Sequence, residues 1–205
     1  MRNNSGAVVA LSLGFVLMLG AYAKGGQEQT PLASVPEFNE NGELIIPDDI
    51  DEWVFLGTML GPQYAAGEFN PDAPGLFHTA LMEPTAYRAF LESGEFADGT
   101  MFALIFRQAL DRMSIHESGF VMGELMQTEI HLKDSERFPD GYNFYVYAPG
   151  ADVARALPTP NGCIECHSAH GAYDGVFAQF YPILRDKIPP EALERALDAT
   201  AQDLE

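Results

Sequence analysis

Two cysteines and a histidine near the C-terminal end have the spacing of a covalent cofactor site. Cys163, Cys166 and His167 form the pattern C-x-x-C-H, the attachment motif of a c-type haem. In such a site the two thiols form thioethers with the porphyrin vinyl groups, and a nitrogen of the histidine binds the iron. The pattern therefore predicts one covalently bound haem c, which the protein has to position and tune.

Two other interpretations of these residues stay open, a redox dithiol and half of a zinc site. The chain has two cysteines in all, so a zinc site would lack further thiolates, and a dithiol would leave His167 without a role. His170 lies outside the motif and is expected at the surface or at the haem edge. Asp174 is a candidate acceptor for the second ring N–H of the axial histidine, with loop backbone N–H groups as its alternative partners.

Residues 1–23 have the features of a secretory signal peptide. Arg2 supplies positive charge, residues 7–19 are almost continuously apolar, and Ala21-Tyr22-Ala23 is an A-x-A cleavage site. An uncleaved anchor is the alternative, although the apolar run is short for a membrane span, which needs about 20 residues. We expect export to the periplasm, because covalent c-type haem is assembled outside the bacterial cytoplasm.

The acidic composition limits the partners. The formal net charge is −19 at pH 7, which disfavours nucleic acid and anionic membranes and repels anionic substrates. A small neutral ligand or a basic redox partner protein is easier to accommodate. The alternative is that the charge only confers solubility. After cleavage of the signal peptide we expect no membrane contact.

The hydrophobic pattern predicts an α+β fold, an antiparallel sheet with flanking helices. Residues 24–46 are interpreted as a tether and lead-in, and residues 47–205 as one haem domain. The predicted elements are a helix over 47–57, a strand over 75–82, a helix from Pro84 to Ser93, a buried strand over 101–106, strands over 120–132 and 142–147, and a terminal helix from Pro190.

The strand over residues 120–132 carries the candidate catalytic group. Glu124 is the acidic member of an otherwise largely apolar face, and burial would raise its pKa, which suits a proton acceptor beside the iron. The alternative places it at the sheet edge or in an ion pair with Arg107 or Arg112. Glu129 lies on the opposite face, so at most one of the two carboxyl groups faces the haem. The face predicted to be buried consists of Phe120, Met122, Glu124, Met126, Thr128, Ile130 and Leu132.

Any sixth iron ligand from methionine has to come from upstream of the motif. No methionine follows His167, and the late motif and the strand-like segments differ from the all-helical electron-transfer cytochromes. Met101, Met122 and Met126 are the candidates, although methionine in a core more often fills a gap.

Several segments resemble a known family in their order and spacing. They are Trp53 to Thr58, Phe77-His78 with Ala86 to Phe90, Asp98-Gly99-Thr100, Lys133-Asp134-Ser135 with Arg137-Phe138, and Cys166-His167 followed by Asp174 and Val176-Phe177. Together they resemble the cytochrome P-460 family, which includes the cytochromes c-prime-beta. The resemblance implies an antiparallel sheet, usually in a homodimer, and one c-type haem with a proximal histidine and an open distal side. It also implies binding of nitric oxide or oxidation of hydroxylamine.

The hydroxylamine-oxidising members of that family join a lysine covalently to the porphyrin, and here that feature is missing. The corresponding strand, Met101 to Phe106, has no lysine, and Lys133 matches the family's ordinary Lys-Asp turn. The resemblance instead makes Phe77, Phe102 and Phe106 candidates for the wall over the iron. Ordinary core packing is the equal alternative for each of them.

Three hypotheses for the function follow. The first is a periplasmic five-coordinate haem protein that binds or transforms small nitrogen species, nitric oxide before hydroxylamine. The second is a hydroxylamine oxidoreductase that passes electrons to another cytochrome. The third is an electron-transfer protein with methionine ligation. The missing lysine favours the first over the second, and the absence of methionine after the motif weakens the third. The sequence does not decide whether the protein is an enzyme.

Overall fold

The computed structural model describes residues 35–62 and 70–202, with side chains up to residue 198. The predicted signal peptide lies outside the described residues. The strands are β1 (Leu44–Ile45), β2 (Val54–Leu60), β3 (Leu76–Met82), β4 (Met101–Asp111), β5 (Phe120–Lys133), β6 (Tyr142–Tyr147) and β7 (Val153–Ala154). The helices are α1 (Pro84–Ser93), α2 (Gly162–His170), α3 (Pro182–Arg185) and α4 (Pro190–Gln202), with 3-10 turns at Ile50–Glu52 and Ala178–Phe180. None of the helices in this part of the chain is long and apolar enough to cross a membrane.

Five strands form one antiparallel sheet in the order β2-β3-β4-β5-β6, so each strand pairs with its neighbours along the chain. β1 and β7 form a separate pair. In the main sheet His78 lies opposite Phe106, and Leu104 lies opposite Glu129. Since side chains alternate along a strand, this register fixes which residues share a face. The predicted α+β class and antiparallel sheet are confirmed.

The prediction of a helix over residues 47–57 was wrong. The chain makes a single 3-10 turn at Ile50–Glu52 and then enters β2, which pairs with β3. The acidic residues do not open a helix; Asp49 accepts a hydrogen bond from the Trp53 indole N–H at 3.1 Å. Aromatic and β-branched residues at 53–55 favour a strand, and β3 supplies the partner for it.

The predicted helix from Pro84 is confirmed as α1, and its first turn explains a buried acid. The Glu83 carboxylate is 1% exposed and accepts hydrogen bonds from the backbone N–H groups of Thr85 and Ala86, at 2.9 and 2.6 Å. These bonds satisfy donors that have no partner within the helix. Gly94 ends the helix in the left-handed conformation, with φ of 75°.

One face of the main sheet, called the sealed face, packs under the segment that contains β1. The Tyr147 hydroxyl on this face donates a hydrogen bond to the Leu44 carbonyl at 3.0 Å. The cluster consists of Leu44, Trp53, Leu81, Met101, Ala103, Ile130, Leu132, Phe138, Tyr145, Tyr147 and Ala154.

The opposite face, called the slot face, is covered in part by the segment after α2. Buried side chains of the sheet pack there against the C-terminal elements, and a cavity remains between the two layers. Members of this core include Leu56, Ala80, Met82 and Phe102 from the sheet, with Val176, Ala178, Tyr181 and Leu184 from the C-terminal segment.

The first half of β5 corrects the predicted burial pattern. Met122 and Met126 are 44% and 47% exposed, and Glu124 is also exposed. The predicted face is buried only from Thr128 onwards. The reason is that β6 pairs with β5 only from Thr128, so residues 120–127 belong to a hairpin that extends past the covered part of the sheet.

Candidate haem site

A cavity of about 450 Å³, called the slot, lies between the slot face and the C-terminal segment. Its size is in the usual range for a cofactor site, and most of its lining is apolar. The slot face of the sheet consists of rows of residues that lie side by side on neighbouring strands, and these rows extend beyond the slot. The sheet residues that line the slot itself are Leu56, Met59, Ala80, Phe102, Ala103, Leu104, Glu129, His131 and Phe144. One row is Met82, Phe102, His131 and Phe144, the next is Ala80, Leu104, Glu129 and Val146, and the third is Met59, His78, Phe106 and Gln127.

α2 brings the motif residues to the opposite wall. The Asn161 side chain accepts a hydrogen bond from the Ile164 N–H at 3.0 Å and begins the helix. Ile164 is buried against Tyr142 and Phe144 of β6. The helical spacing places Cys163, Cys166 and His167 on one side of the helix, and both thiols are free and half-buried.

The ring of His167 is fixed by a hydrogen bond to the main chain. Its Nδ1 lies 2.6 Å from the Gly175 carbonyl oxygen, so Nδ1–H is the donor and Nε2 is left for a metal. The rings of Phe144 and Phe177 pack against it, with centroid distances of 4.6 and 4.5 Å. Burial lowers the pKa of His167, and this favours the neutral imidazole that metal ligation requires.

The acceptor for the axial histidine is therefore not Asp174. Its carboxylate forms an ion pair with Lys133 instead. Gly175 supplies the carbonyl because the turn brings it under the ring with φ of 70°. A Cβ at Gly175 would lie 2.5 Å from the Tyr142 ring, so only glycine leaves room there.

The three phenylalanines predicted for the distal wall are not equivalent. Phe102 lines the slot. Phe106 is on the same face two rows further along the strands, with its ring 4.4 Å from that of His78, and it does not line the slot. Phe77 precedes His78 in β3 and therefore points to the other face, so the structure does not bring it to the slot.

No lysine lines the slot among the residues that the structure describes. Lys133 is paired with Asp174 and borders a separate groove of about 870 Å³, between α4 and the end of α2. The residues of the predicted wall strand that line the slot are Phe102, Ala103 and Leu104. Lys24 lies outside the described residues.

Glu124 does not reach the slot, because it lies on the exposed hairpin. The carboxyl group in the slot wall is that of Glu129. It accepts a hydrogen bond from the Gln127 amide at 2.6 Å, and burial raises its pKa against the opposing effect of that bond. The prediction of Glu124 was wrong because it took the other face of this strand as the covered one. Glu129 and His131 on one side of the same strand were the available signal.

His131 is a site residue that the sequence reasoning missed. Its ring is buried, with centroids 5.4 Å from His167 and 4.7 Å from Phe144, and burial strongly lowers its pKa. Phe144 contacts both imidazoles, so His131 lies beside the axial histidine as a neutral ring. His170 is exposed, at the border of the slot.

The methionines proposed as iron ligands lie elsewhere. Met101 is fully buried in the sealed face, and Met122 and Met126 are on the exposed hairpin. The methionine that lines the slot is Met59, on β2, and it lies at the far side of the sheet from α2 and β6.

The donor set and the shape of the slot suit a haem c. Two free thiols, an imidazole with Nε2 available and a mostly apolar opposite wall occur together. A family model described as Cytochrome P460 matches residues 47–178, a range that contains the main sheet and the whole of α2. A comparison with curated proteins finds no match.

Proposed function

The chain belongs to the cytochrome P460 family, which makes it a haem-binding cytochrome, and we propose that it holds one haem c and binds a small neutral nitrogen species, nitric oxide before hydroxylamine. Cys163 and Cys166 would hold the porphyrin, and His167 would bind the iron through Nε2. When bound, the haem supplies an iron centre that takes a diatomic ligand on its open side. We also propose that the protein acts in the periplasm after removal of residues 1–23.

One observation carries the proposal: the His167 Nδ1–H donates its hydrogen bond to the Gly175 carbonyl at 2.6 Å, while most of the slot lining is apolar. The hydrogen bond orients the ring and increases the basicity of Nε2. Phe102 and Leu104 exclude water and disfavour charged ligands, because an ion would lose its hydration there without a partner. A small, weakly polar molecule has no ionic hydration shell to lose, so it can enter the slot.

The test is an optical titration of the exported protein. We expect covalent haem c, a high-spin ferrous state with one axial ligand, and a new absorption spectrum on addition of nitric oxide. His167→Ala should remove the axial ligation, whereas His170→Ala should leave the spectrum unchanged. A low-spin six-coordinate haem in both oxidation states would contradict the proposal.

The second candidate, hydroxylamine oxidation, is favoured by the position of Glu129. Removing electrons from hydroxylamine also releases protons, and a carboxylate in the slot wall is a group that takes up a proton. Among the described residues no lysine or arginine pairs with this carboxyl, so its charge is not fixed by a partner. Turnover of hydroxylamine with an added cytochrome oxidant, lost in Glu129→Gln and kept in Glu124→Gln, would support the enzyme.

Two further proposals concern assembly. The net charge of −19 suits a basic redox partner protein, and the family resemblance suggests a homodimer. Sedimentation of the mature protein at several concentrations tests the dimer. Electron transfer to a basic acceptor should slow with increasing salt, because charge steering is screened.

A further inference from the structure

The turn that presents the Gly175 carbonyl to His167 has two central residues in the left-handed conformation. Asp174 and Gly175 have φ of 52° and 70°, and Tyr173 and Val176 pair on either side of them in an antiparallel bridge. Positive φ at both central positions is typical of a type I′ turn, which accepts glycine and asparagine as well as aspartate. The turn itself therefore does not need the charge of Asp174.

That charge is used in an ion pair with the main sheet. The Lys133 ammonium donates a hydrogen bond to the Asp174 carboxylate, and the two side chains are 19% and 37% exposed. The carboxylate forms no other hydrogen bond or ion pair among the residues that the structure describes. Because the pair is partly shielded from solvent, salt screens it less than a fully exposed pair.

The lysine end of the pair is fixed by the sheet. Lys133 is the last residue of β5, where its N–H donates to the Thr100 carbonyl at 2.9 Å and its carbonyl accepts from the Gly99 N–H at 2.8 Å. The nearby Asp98 carboxylate accepts hydrogen bonds from Ser135 with both of its oxygens. The ion pair therefore ties the turn to a fixed point at the end of the sheet.

Packing alone limits the turn from one side. The Tyr142 ring, on the strand next to Lys133, lies so close to Gly175 that an added Cβ would be 2.5 Å from it. The Tyr142 hydroxyl also shares a hydrogen bond with the Ser168 hydroxyl of α2, at 2.8 Å. A steric contact stops the turn from moving toward the ring but not away from it. The ion pair between Lys133 and Asp174 opposes the second movement.

The ion pair is one residue away from the acceptor of the axial histidine. Asp174 precedes Gly175, whose carbonyl accepts the His167 Nδ1–H at 2.6 Å. Because the two residues share one tight turn, displacement of the first displaces the carbonyl of the second. A hydrogen bond weakens steeply as its length and angle depart from the optimum. The bond at Nδ1 in turn sets the basicity of Nε2.

We propose that Lys133 is a positioning residue of the haem site, which holds the Gly175 carbonyl against the axial histidine through its ion pair with Asp174 and so keeps Nε2 strongly basic. This role deepens the proposed function and rests on the haem c proposed there. Lys133 borders the groove between α4 and the end of α2 and does not line the slot. It therefore acts through the turn, and its role differs from that of a lysine cross-linked to the porphyrin.

The test compares the exported, haem-bearing protein with variants of the ion pair. Asp174→Asn removes the negative charge and keeps a residue that suits the turn. Lys133→Met removes the positive charge from a side chain of similar length, and Lys133→Arg keeps it. Lys187→Met is the matched control, because this lysine is exposed and borders neither the groove nor the slot. The iron–histidine stretching band in the resonance Raman spectrum of the ferrous protein and the midpoint potential are measured.

We expect Asp174→Asn and Lys133→Met to shift the iron–histidine band to lower frequency, because a weaker hydrogen bond at Nδ1 makes Nε2 a poorer donor. Both should raise the midpoint potential, since a less basic ligand stabilises ferric iron less. A direct effect of charge on the iron would move the potential in opposite directions, because one variant loses a negative charge and the other a positive one. Lys133→Arg and Lys187→Met should stay close to wild type.

An unchanged band in the two charge-removing variants would overturn the inference and leave the proposed haem c in place. Opposite shifts of the potential, or an equal band shift in Lys187→Met, would overturn it in the same way. If one of the two variants does not fold, the band of the other decides. A wild-type protein without haem c, or without an iron–histidine band, would instead overturn the proposed function and this inference together.

Discussion

The two faces of the main sheet are formed by the same strands but differ in how their buried polar groups are hydrogen-bonded. On the sealed face, the Tyr147 hydroxyl finds the Leu44 carbonyl, and the aliphatic side chains around it are almost fully buried. On the slot face, His78 has an Nδ1 without a partner, and Glu129 is supported by one amide. Among the described residues, no side chain of the sealed cluster has a buried polar atom without a partner, whereas the slot face has one in His78.

This difference distinguishes the face that mainly stabilises the fold from the face that we expect to bind a ligand. A buried group with all its hydrogen bonds made contributes to folding, and one with a missing partner opposes it. A buried polar group without a partner is therefore a sign that its face of the sheet binds something. The same face holds the imidazole that is oriented for a metal, so the two signals agree.

The largest expected effect is on the sealed face. Ile130→Ala deletes a fully buried side chain and should lower the free energy of unfolding by about 2–5 kcal/mol. Leu104→Ala, on the half-buried slot face, should cost less because the residue already borders a cavity. Urea denaturation of both variants measures the contrast. Equal losses would mean that the two faces are packed alike.

Gly175→Ala should have the next largest effect, because it disturbs the turn whose carbonyl accepts the hydrogen bond from the axial histidine. The added Cβ would lie 2.5 Å from the Tyr142 ring, and overpacking of this kind costs about 1–3 kcal/mol. The left-handed backbone adds about 1 kcal/mol. Gly150→Ala is the control, with a φ of 78° and no atom within 4 Å of the added Cβ.

The expected readout for Gly175→Ala is a lower unfolding free energy together with a changed axial-ligand spectrum. Gly150→Ala should show only the smaller backbone cost and a wild-type spectrum. If both glycines gave the same loss and neither altered the spectrum, the carbonyl at Gly175 would not be orienting His167.

The burial of Glu129 should make the free energy of unfolding depend on pH, by less than the two effects described above. Burial raises the pKa of this carboxyl above its usual 4.5, so the folded state prefers the neutral acid. Its contribution to stability is present below the unfolded-state pKa and is lost as pH rises through the folded-state pKa. Glu129→Gln should remove this decline, so the variant gains on wild type at higher pH.

Unfolding free energies from pH 4 to 8 check this, with the haem-bearing wild type and Glu124→Gln as references. Glu124 is also a glutamate, but it lies on the exposed hairpin, outside the slot. A variant Glu129→Gln that tracked wild type at every pH would show that the slot wall does not bury the charge.

The smallest effect should be found on the hairpin. Met126 belongs to the same strand and the same alternation as Ile130, but it is 47% exposed. Met126→Ala should change the unfolding free energy by no more than about 0.5 kcal/mol. A loss that grows with protein concentration would show instead that the hairpin is buried in a dimer.

Local patterns were sufficient for much of the fold. Pro84 and Gly94 delimit α1 in the structure as in the sequence, and the apolar run at residues 101–106 is a central strand. The segment at 47–57 was misjudged because acidic residues before an apolar run also occur in a turn that leads into a strand. There the partner strand β3 decided the outcome, and its register is not visible in the segment itself.

For the candidate site, too, local sequence patterns predicted one part and tertiary packing decided the other. Cys163, Cys166 and His167 are close in the sequence, so their chemistry was visible in five residues. Gly175 was missed as the hydrogen-bond acceptor because any residue offers a carbonyl, and only the turn geometry selects this one. The sequence also showed that Glu124 and Glu129 lie on opposite faces, but which face is covered depends on segments that are distant along the chain.

By itself, the sequence determined the cofactor motif, the order of most strands and the membership of the cytochrome P460 family. The tertiary structure decided which face of the sheet meets α2. That choice depends on how far β6 and the segment around β1 extend over the strands, which is a property of packing between distant parts of the chain. It replaces Glu124 with Glu129 at the slot and brings His131 to the same wall, since residues that alternate along a strand change role together when the covered face changes.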